Sequence, residues 1–208
     1  MTRMSDPFPA ARHDGAIVIL AGGTGSRLGG CDKPLLPLGA GCVLDHLVAT
    51  LRPSCDRLAI NANGNPARFG RWSLPVLPDA RAGDGPLGGV LCALDWARAA
   101  GATWVLTVPG DTPFVPRDLA QLLLPAPRFA ASGEHAHPLV ATWPVACHDA
   151  LRAWLEAARR TGDHRALRVR AFAASIGAQA VPFDAADDPF FNINTPDDLR
   201  RARERAPT

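Results

Sequence analysis

Apolar residues along this chain come in short dense runs, punctuated by glycine, proline and carboxamides, and the runs alternate between two periodicities. Ala16–Leu20, Arg57–Asn61, Pro75–Leu77 and Trp104–Val108 are brief, mostly apolar stretches that predict buried strands. Between them, Val43, Leu44, Leu47, Val48 and Leu51 share one helical stripe, and Gly88–Arg98 has helical spacing that Gly101 ends. Pro116, Arg117 and Asp118 suit the first turn of another helix. Further on, Phe129–Ser132 and Leu139–Trp143 predict strands, Cys147–Arg160 and Asp163–Phe172 predict helices, and Gln179–Phe183 predicts a last strand. Thr195 followed by Pro196, Asp197 and Asp198 reads as an N-cap with proline at the first helical position, opening an arginine-rich C-terminal helix.

Repeated βα units imply an α/β fold of three-layer, Rossmann-like form: a mostly parallel sheet with helices on both faces. The second half is expected to add an antiparallel element. At 208 residues the chain suits one domain, placed at 15–208 behind a tail of residues 1–14. That tail carries Pro7, Pro9 and charges, lacks the apolar core of a signal peptide, and is expected to be disordered.

Composition narrows the field of functions. With 47% hydrophobic and 20% charged residues the chain has material for a sizeable core. A net charge of +2, with signs interspersed, argues against a nucleic-acid or membrane-surface partner. No apolar run approaches the roughly 18 residues of a membrane span. Five cysteines without a Cys-x-x-Cys pair fit neither a disulfide framework nor a zinc site, and point to a reducing, cytoplasmic setting. His135, His137 and His164 have no further ligand at metal spacing, so zinc is not expected.

The densest chemistry follows the first strand, from Leu20 to Lys33, where Gly22, Gly23, Gly25, Gly29 and Gly30 alternate with Arg27 and Lys33. Glycine lets backbone N–H groups converge on an anion, and the two cations can neutralise it, so the segment reads as a phosphate cradle; a mobile turn is the plainer alternative. Its spacing is not that of a P-loop, because Cys31 stands where lysine should be, nor that of a dinucleotide fingerprint, because Leu28 replaces the third glycine. Asp111 ends the most apolar strand and reads either as a ligand for a phosphate-bound Mg²⁺ or as a turn residue. Asp79 precedes a glycine-rich helix start, Gly83 to Gly89, that can approach a ligand closely or simply turn the chain. Asn61 and Asn63 are expected to face opposite sides of a strand end, so that one enters the crevice and reads a ribose or a base; a strand-ending turn is the alternative. Asn192 and Asn194 can order a phosphate or support a metal shell; a capping turn is the plainer alternative. The basic stretch from Arg159 to Arg170 is either a solvated helix face or a contact for an anionic second substrate.

Taken in order, Leu20-Ala-Gly-Gly, Arg27-Leu-Gly-Gly-x-Asp-Lys33, Asn61-Ala-Asn63, Pro78-Asp79, Gly85-Pro-Leu-Gly-Gly89, Gly110-Asp111-Thr-Pro-Phe and Asn192-Ile-Asn-Thr-Pro-Asp-Asp198 resemble the molybdenum cofactor guanylyltransferases. These belong to the wider nucleotidyltransferases with the nucleotide-diphospho-sugar transferase fold. The resemblance runs from Ala16 almost to the end; Gly110 departs from it, where relatives often carry cysteine. It implies transfer of GMP from GTP to the terminal phosphate of molybdopterin with release of pyrophosphate, without a side-chain nucleophile. It places GTP on Leu20, Ala21, Gly22, Gly23, Lys33, Asn61, Asp79 and Asp111, gives Mg²⁺ to Asp111, and makes Arg27, Lys33 and Asp111 the catalytic set. The pterin side falls on His164, Arg165, Asn192 and Asn194. A monomer that serves molybdoenzymes or their chaperones is the corresponding expectation. Alternatives are a molybdopterin cytidylyltransferase, a sugar-phosphate nucleotidyltransferase, or a nucleotide-binding module without turnover.

Overall fold

The computed structural model describes residues 14–22, 32–81 and 83–206. The chain opens on β1 (Gly15–Leu20), whose residues are almost entirely buried. Ile17 and Ile19 point into one apolar cluster while Ala16 and Val18 point into another, so β1 is sandwiched on both faces. After a 3₁₀ turn at Lys33–Leu35, a small hairpin of β2 (Pro37–Leu38) and β3 (Gly41–Cys42) leads into α1 (Val43–Leu51). Asp45 caps that helix by accepting from the Cys42 amide at 2.8 Å. Then come β4 (Leu58–Asn61), a 3₁₀ segment at Pro66–Trp72, β5 (Val76–Leu77) and α2 (Pro86–Ala99).

The rest of the sheet follows β6 (Trp104–Pro109) and the one-turn helix α3 (Leu119–Leu122). Strands β7 (Arg128–Ser132) and β8 (His135–Pro144) form a hairpin, α4 (His148–Thr161) and α5 (Val169–Ser175) cover one face, and β9 (Gln179–Pro182) precedes α6 (Pro196–Arg205). The described residues build a seven-stranded sheet in the order β5-β4-β1-β6-β8-β7-β9. All neighbours pair in parallel except β8, which is antiparallel to both β6 and β7. The expected α/β architecture with an antiparallel element in the second half is therefore present. Helices α2, α4 and α5 pack on one face; α1, α3 and α6 pack on the other.

Several elements differ from the sequence expectation for identifiable reasons. The helix expected from Pro116 begins only at Leu119 and lasts four residues, with Pro125 and Pro127 closing the way beyond it. The helix expected at Asp163–Phe172 starts at Val169: Gly162 closes α4 in the left-handed region, and the Asp163 side chain accepts from the Arg165 amide at 2.9 Å, holding a turn. Strand β8 reaches back to His135 because backbone pairing with β7, around a bulge between Phe129 and Ala130, tolerates its two histidines.

Parallel strands leave their carboxyl ends on one edge, and there the backbone is tightly laced. The Ala21 amide donates to Asn61 O at 2.7 Å, and the Gly110 amide donates to Leu20 O at 2.8 Å. At Gly110 a Cβ would lie 2.8 Å from Pro34 Cγ and 3.1 Å from Leu20 O, so any side chain there forces a neighbour to shift. In this chain Pro34 fills the space that a cysteine at position 110 would need. At α6 the expected cap is present. Thr195 Oγ1 accepts from the Asp198 amide at 3.1 Å, and Asp198 Oδ2 accepts from the Asn194 and Thr195 amides at 3.0 and 2.9 Å. Burial pushes the Asp198 carboxyl up, but the hydrogen bonds from Thr195 and the two amides outweigh it and hold the group below its usual range.

Gly110→Ala should lower stability by about 1–3 kcal/mol in urea unfolding, the usual cost of overpacking. The same change in a Pro34→Gly background should cost measurably less, and equal costs in both backgrounds would separate the two sites. Because the folded pKa of Asp198 is depressed, its contribution is present above the unfolded value of about 3.9 and is lost as pH falls through the folded one. The stability gap between the parent chain and Asp198→Asn should therefore hold steady from neutral pH down to about 4 and close below it; a gap that does not change with pH would show that the carboxylate charge is not what the cap uses.

Candidate active site

Four strand ends meet at one cavity of about 660 Å³, a size suited to a nucleotide. Leu20, Ala21 and Gly22 line it from β1, Asn61 from β4, Asp79 from the turn after β5, and Asp111 from the turn after β6. Lys33 and Asn192 complete the wall on the β6 side. A Cβ at Gly22 would meet no atom of the described residues within 4 Å. Gly23 and Arg27 lie outside the described residues.

At the β6 end one amine organises three segments. Lys33 Nζ donates to Asp111 Oδ2 at 2.9 Å and to Asn194 Oδ1 at 2.5 Å. The lysine and aspartate side chains are only 16% and 18% exposed, which shields the pair from water. The Ile193 amide donates to Asp111 O at 2.9 Å, and Thr112 Oγ1 donates to Asn192 Oδ1 at 2.8 Å. Asn192 and Asn194 therefore stand beside Asp111, with Asn194 behind the lysine and Asn192 on the cavity wall.

At the β4–β5 end the Asn61 and Asn63 amides do not face opposite sides; both reach Asp79. Asn61 Nδ2 donates to Asp79 Oδ1 and Asn63 Nδ2 donates to Asp79 Oδ2, each at 2.8 Å, and the Asp79 amide returns a bond to Asn63 Oδ1 at 2.9 Å. Residues two apart in extended chain share a face, which is why the expectation of opposite sides fails. Neutral amides orient the carboxylate without cancelling its charge. Gly89, in the first turn of α2, packs on Asn61 so closely that a Cβ would sit 2.7 Å from Asn61 Oδ1. Cys92, further along α2, is no thiolate: burial first, then the charge of Asp79, pushes its thiol up to about 11.

His164 and Arg165 are placed elsewhere. They are exposed on the turn between α4 and α5 and are not among the residues that line the cavity. Sequence reasoning left Asp84 unassigned, yet it lines the cavity and is 5% exposed. It is gripped by Arg159, with Nε to Oδ1 at 2.8 Å and Nη2 to Oδ2 at 3.0 Å. The signal available was an aspartate between Gly83 and Gly85, both at positive φ.

The donor set bears on a metal. Among the described residues no group of three or more His, Cys, Asp or Glu side chains could hold an ion. Asp111 offers a single carboxylate at the cavity end, which is the kind of site that suits Mg²⁺ bound chiefly by phosphate and water, not by a protein cage.

Comparison with known proteins gives the family. Residues 17–173 match the MobA-like NTP transferase domain. A molybdenum cofactor guanylyltransferase of Acidiphilium cryptum is 50% identical over 195 residues, covering 93% of this chain and 96% of that protein. One from Mesorhizobium japonicum is 45% identical over 204 residues, covering 92% and 95%. Among solved structures, molybdopterin-guanine dinucleotide biosynthesis protein A from Archaeoglobus fulgidus superposes with a TM-score of 0.72 at 22% identity, over 91% of this chain and 97% of that one, which shows a shared fold. With identities of this order over nearly its whole length, and a strand-end cavity laced by Lys33 and Asp111, the chain belongs to the molybdenum cofactor guanylyltransferase family.

Proposed function

We propose that this cavity holds GTP and that the chain transfers GMP from it to the terminal phosphate of molybdopterin, releasing pyrophosphate. The observation that carries the reading is the Lys33–Asp111–Asn194 cluster at one end of a nucleotide-sized cavity, opposite an Asp79 carboxylate held by two amides. Asp79 accepts only, so it suits the hydroxyl and amino donors of a nucleoside. Ala21, Gly22 and Lys33 line one side of the cavity and suit the triphosphate through backbone amides and a cation; Gly23 and Arg27 join them in this reading by the family pattern alone. Family names favour guanylyl over cytidylyl transfer.

The protein's part in the reaction is positioning and charge neutralisation. Leu20 and Asn61 shape the nucleoside end, and Lys33 is suited to neutralise the charge that collects on the leaving pyrophosphate as an acceptor phosphate oxygen bonds to the α-phosphorus and the bond to the bridging oxygen breaks. Asn192, whose Oδ1 is held by Thr112, faces the acceptor phosphate beside Asp111, and Asn194, fixed by the α6 cap, backs Lys33 on the same side. His164 and Arg165, exposed on the turn after α4 and outside the cavity wall, stay in this reading as pterin-side residues by the family pattern alone. Asp111 would hold Mg²⁺, which when bound supplies Lewis-acid neutralisation of the phosphates. The same reading takes 15–208 as one nucleotidyltransferase domain behind a tail of residues 1–14, a cytoplasmic monomer that hands its product to molybdoenzymes or their chaperones. No described helix is long and apolar enough to cross a membrane.

Pyrophosphate release with molybdopterin and Mg²⁺ should appear with GTP and be far weaker with CTP or ATP; preference for CTP would reassign the chain to cytidylyl transfer. Asp111→Asn should lower kcat by roughly 10²–10³-fold, the loss typical of one preorganised electrostatic partner. Lys33→Met should raise the KM for GTP by about tenfold or more, as expected for a lost charged hydrogen bond. A Lys33→Met enzyme with unchanged constants would remove the amine from the site.

A further inference from the structure

Asp84 is a buried carboxylate in the wall of a cavity read as binding a polyanion, and no role in that reading uses it. Left unpaired it would repel phosphate and carry a heavy desolvation cost. Instead Arg159, in the last turn of α4, meets it with a two-pronged contact of 2.8 and 3.0 Å. Arg159 itself is not among the cavity-lining residues. The chain is bent to make the meeting possible. Gly83 and Gly85 flank Asp84 at φ values of +96 and +59, and a Cβ at Gly88 would lie 3.2 Å from Asp84 Cβ, so Asp84 rests on the first turn of α2. That turn is the one that abuts Asn61 through Gly89.

Helix α4 is a firm anchor for this grip. At its other end His148, 1% exposed, sits between Asp95 of α2 and Asp149, with Nε2 and Nδ1 at 2.6 and 2.7 Å from the two carboxylates. The α2–α4 pair is thus tied at both ends, and the tie at the cavity end is Asp84–Arg159.

We propose that Asp84 and Arg159 form the positioning clasp of the nucleotide site. Arg159 acts through Asp84: it cancels a wall charge and fixes the turn between Asp79 and Gly89 against the nucleoside. GTP affinity then depends on a side chain that touches no nucleotide. This inference rests on GTP occupying the cavity described above.

The test measures GTP binding by calorimetry, together with kcat and the KM of each substrate, for the parent chain, Arg159→Ala, Arg159→Lys and the neutral pair Asp84→Asn/Arg159→Gln. Loss of a charged, bidentate contact predicts that Arg159→Ala raises Kd and KM for GTP by about tenfold, with kcat and the molybdopterin KM within about twofold. Arg159→Lys keeps the charge without the fork and should recover part of the loss. The neutral pair removes the buried charge and should recover most of it. Thermal melting establishes that each variant is folded; if Arg159→Ala is not, the other two carry the test. Parent-like GTP constants in every folded variant would overturn the clasp, and so would a parallel loss in kcat and both KM values, which is the mark of general destabilisation. If the parent chain itself bound no GTP, the reading of the cavity would fail first, and the two failures are distinguishable in the same titration.

Discussion

The ammonium of Lys33 holds the working end of this molecule together. It joins Asp111, 78 positions along the chain, to Asn194, 161 positions along, and both contacts are within hydrogen-bond range. Neither partner is free to drift. Asp111 is pinned through its own carbonyl by the Ile193 amide, and the Asn194 backbone is part of the cap of α6. A C-terminal helix on one face of the sheet thereby fixes the position of a lysine that follows the first strand. Taken apart, each contact is worth little at a partly exposed site. Their value lies in convergence, since one amine held by two acceptors has few ways to point.

That convergence needs backbones closer than side chains normally allow. Leu20 O accepts from Gly110, and Ala21 donates to Asn61 O, so the ends of three parallel strands are drawn together just where the cavity begins. Pro34 occupies the room left by the missing side chain at 110, and Asn61 occupies the room left at 89. The glycines of the site therefore serve two purposes. Gly22 lines the cavity with no described atom where its Cβ would be, whereas Gly89 and Gly110 give their space to neighbouring side chains. A motif written as a string of glycines hides that distinction.

The strands were legible because a sheet covered on both faces writes itself as continuous apolar runs; β1 shows this best. Helix α1 matches its apolar stripe to the residue. What stayed hidden lacks a period. The two-residue strands β2 and β3 are too short to alternate, and the 3₁₀ segment at Pro66–Trp72, which buries Phe69 and Trp72, has no repeat to find. At the site, the cavity set named from motifs was legible as a list: Lys33, Asn61, Asp79 and Asp111 do line one space. Who partners whom was not, because such pairings span 16 to 161 positions and no local rule reaches across them. Asp84 and Arg159, 75 positions apart, are the plainest case.

Three carboxylates line a space suited to a polyanion, and each has a different kind of partner. Asp111 is met by a lysine, a compact point charge that contacts one carboxylate oxygen and has a second acceptor in Asn194. Asp84 is met by an arginine, whose planar fork locks both carboxylate oxygens and whose charge is permanent. Asp79 is met by two neutral amides, which orient it and leave its charge whole. These differences match what each position must do. On the proposed reading, the group that accepts donors from a nucleoside is held by neutral amides, and the group that only stands in the wall is offset by a permanent cation. On the same reading, the group at the transfer end is balanced by a cation already fixed beside it. In a cavity this crowded with acids, the partner's chemistry is more informative than the acid's own presence.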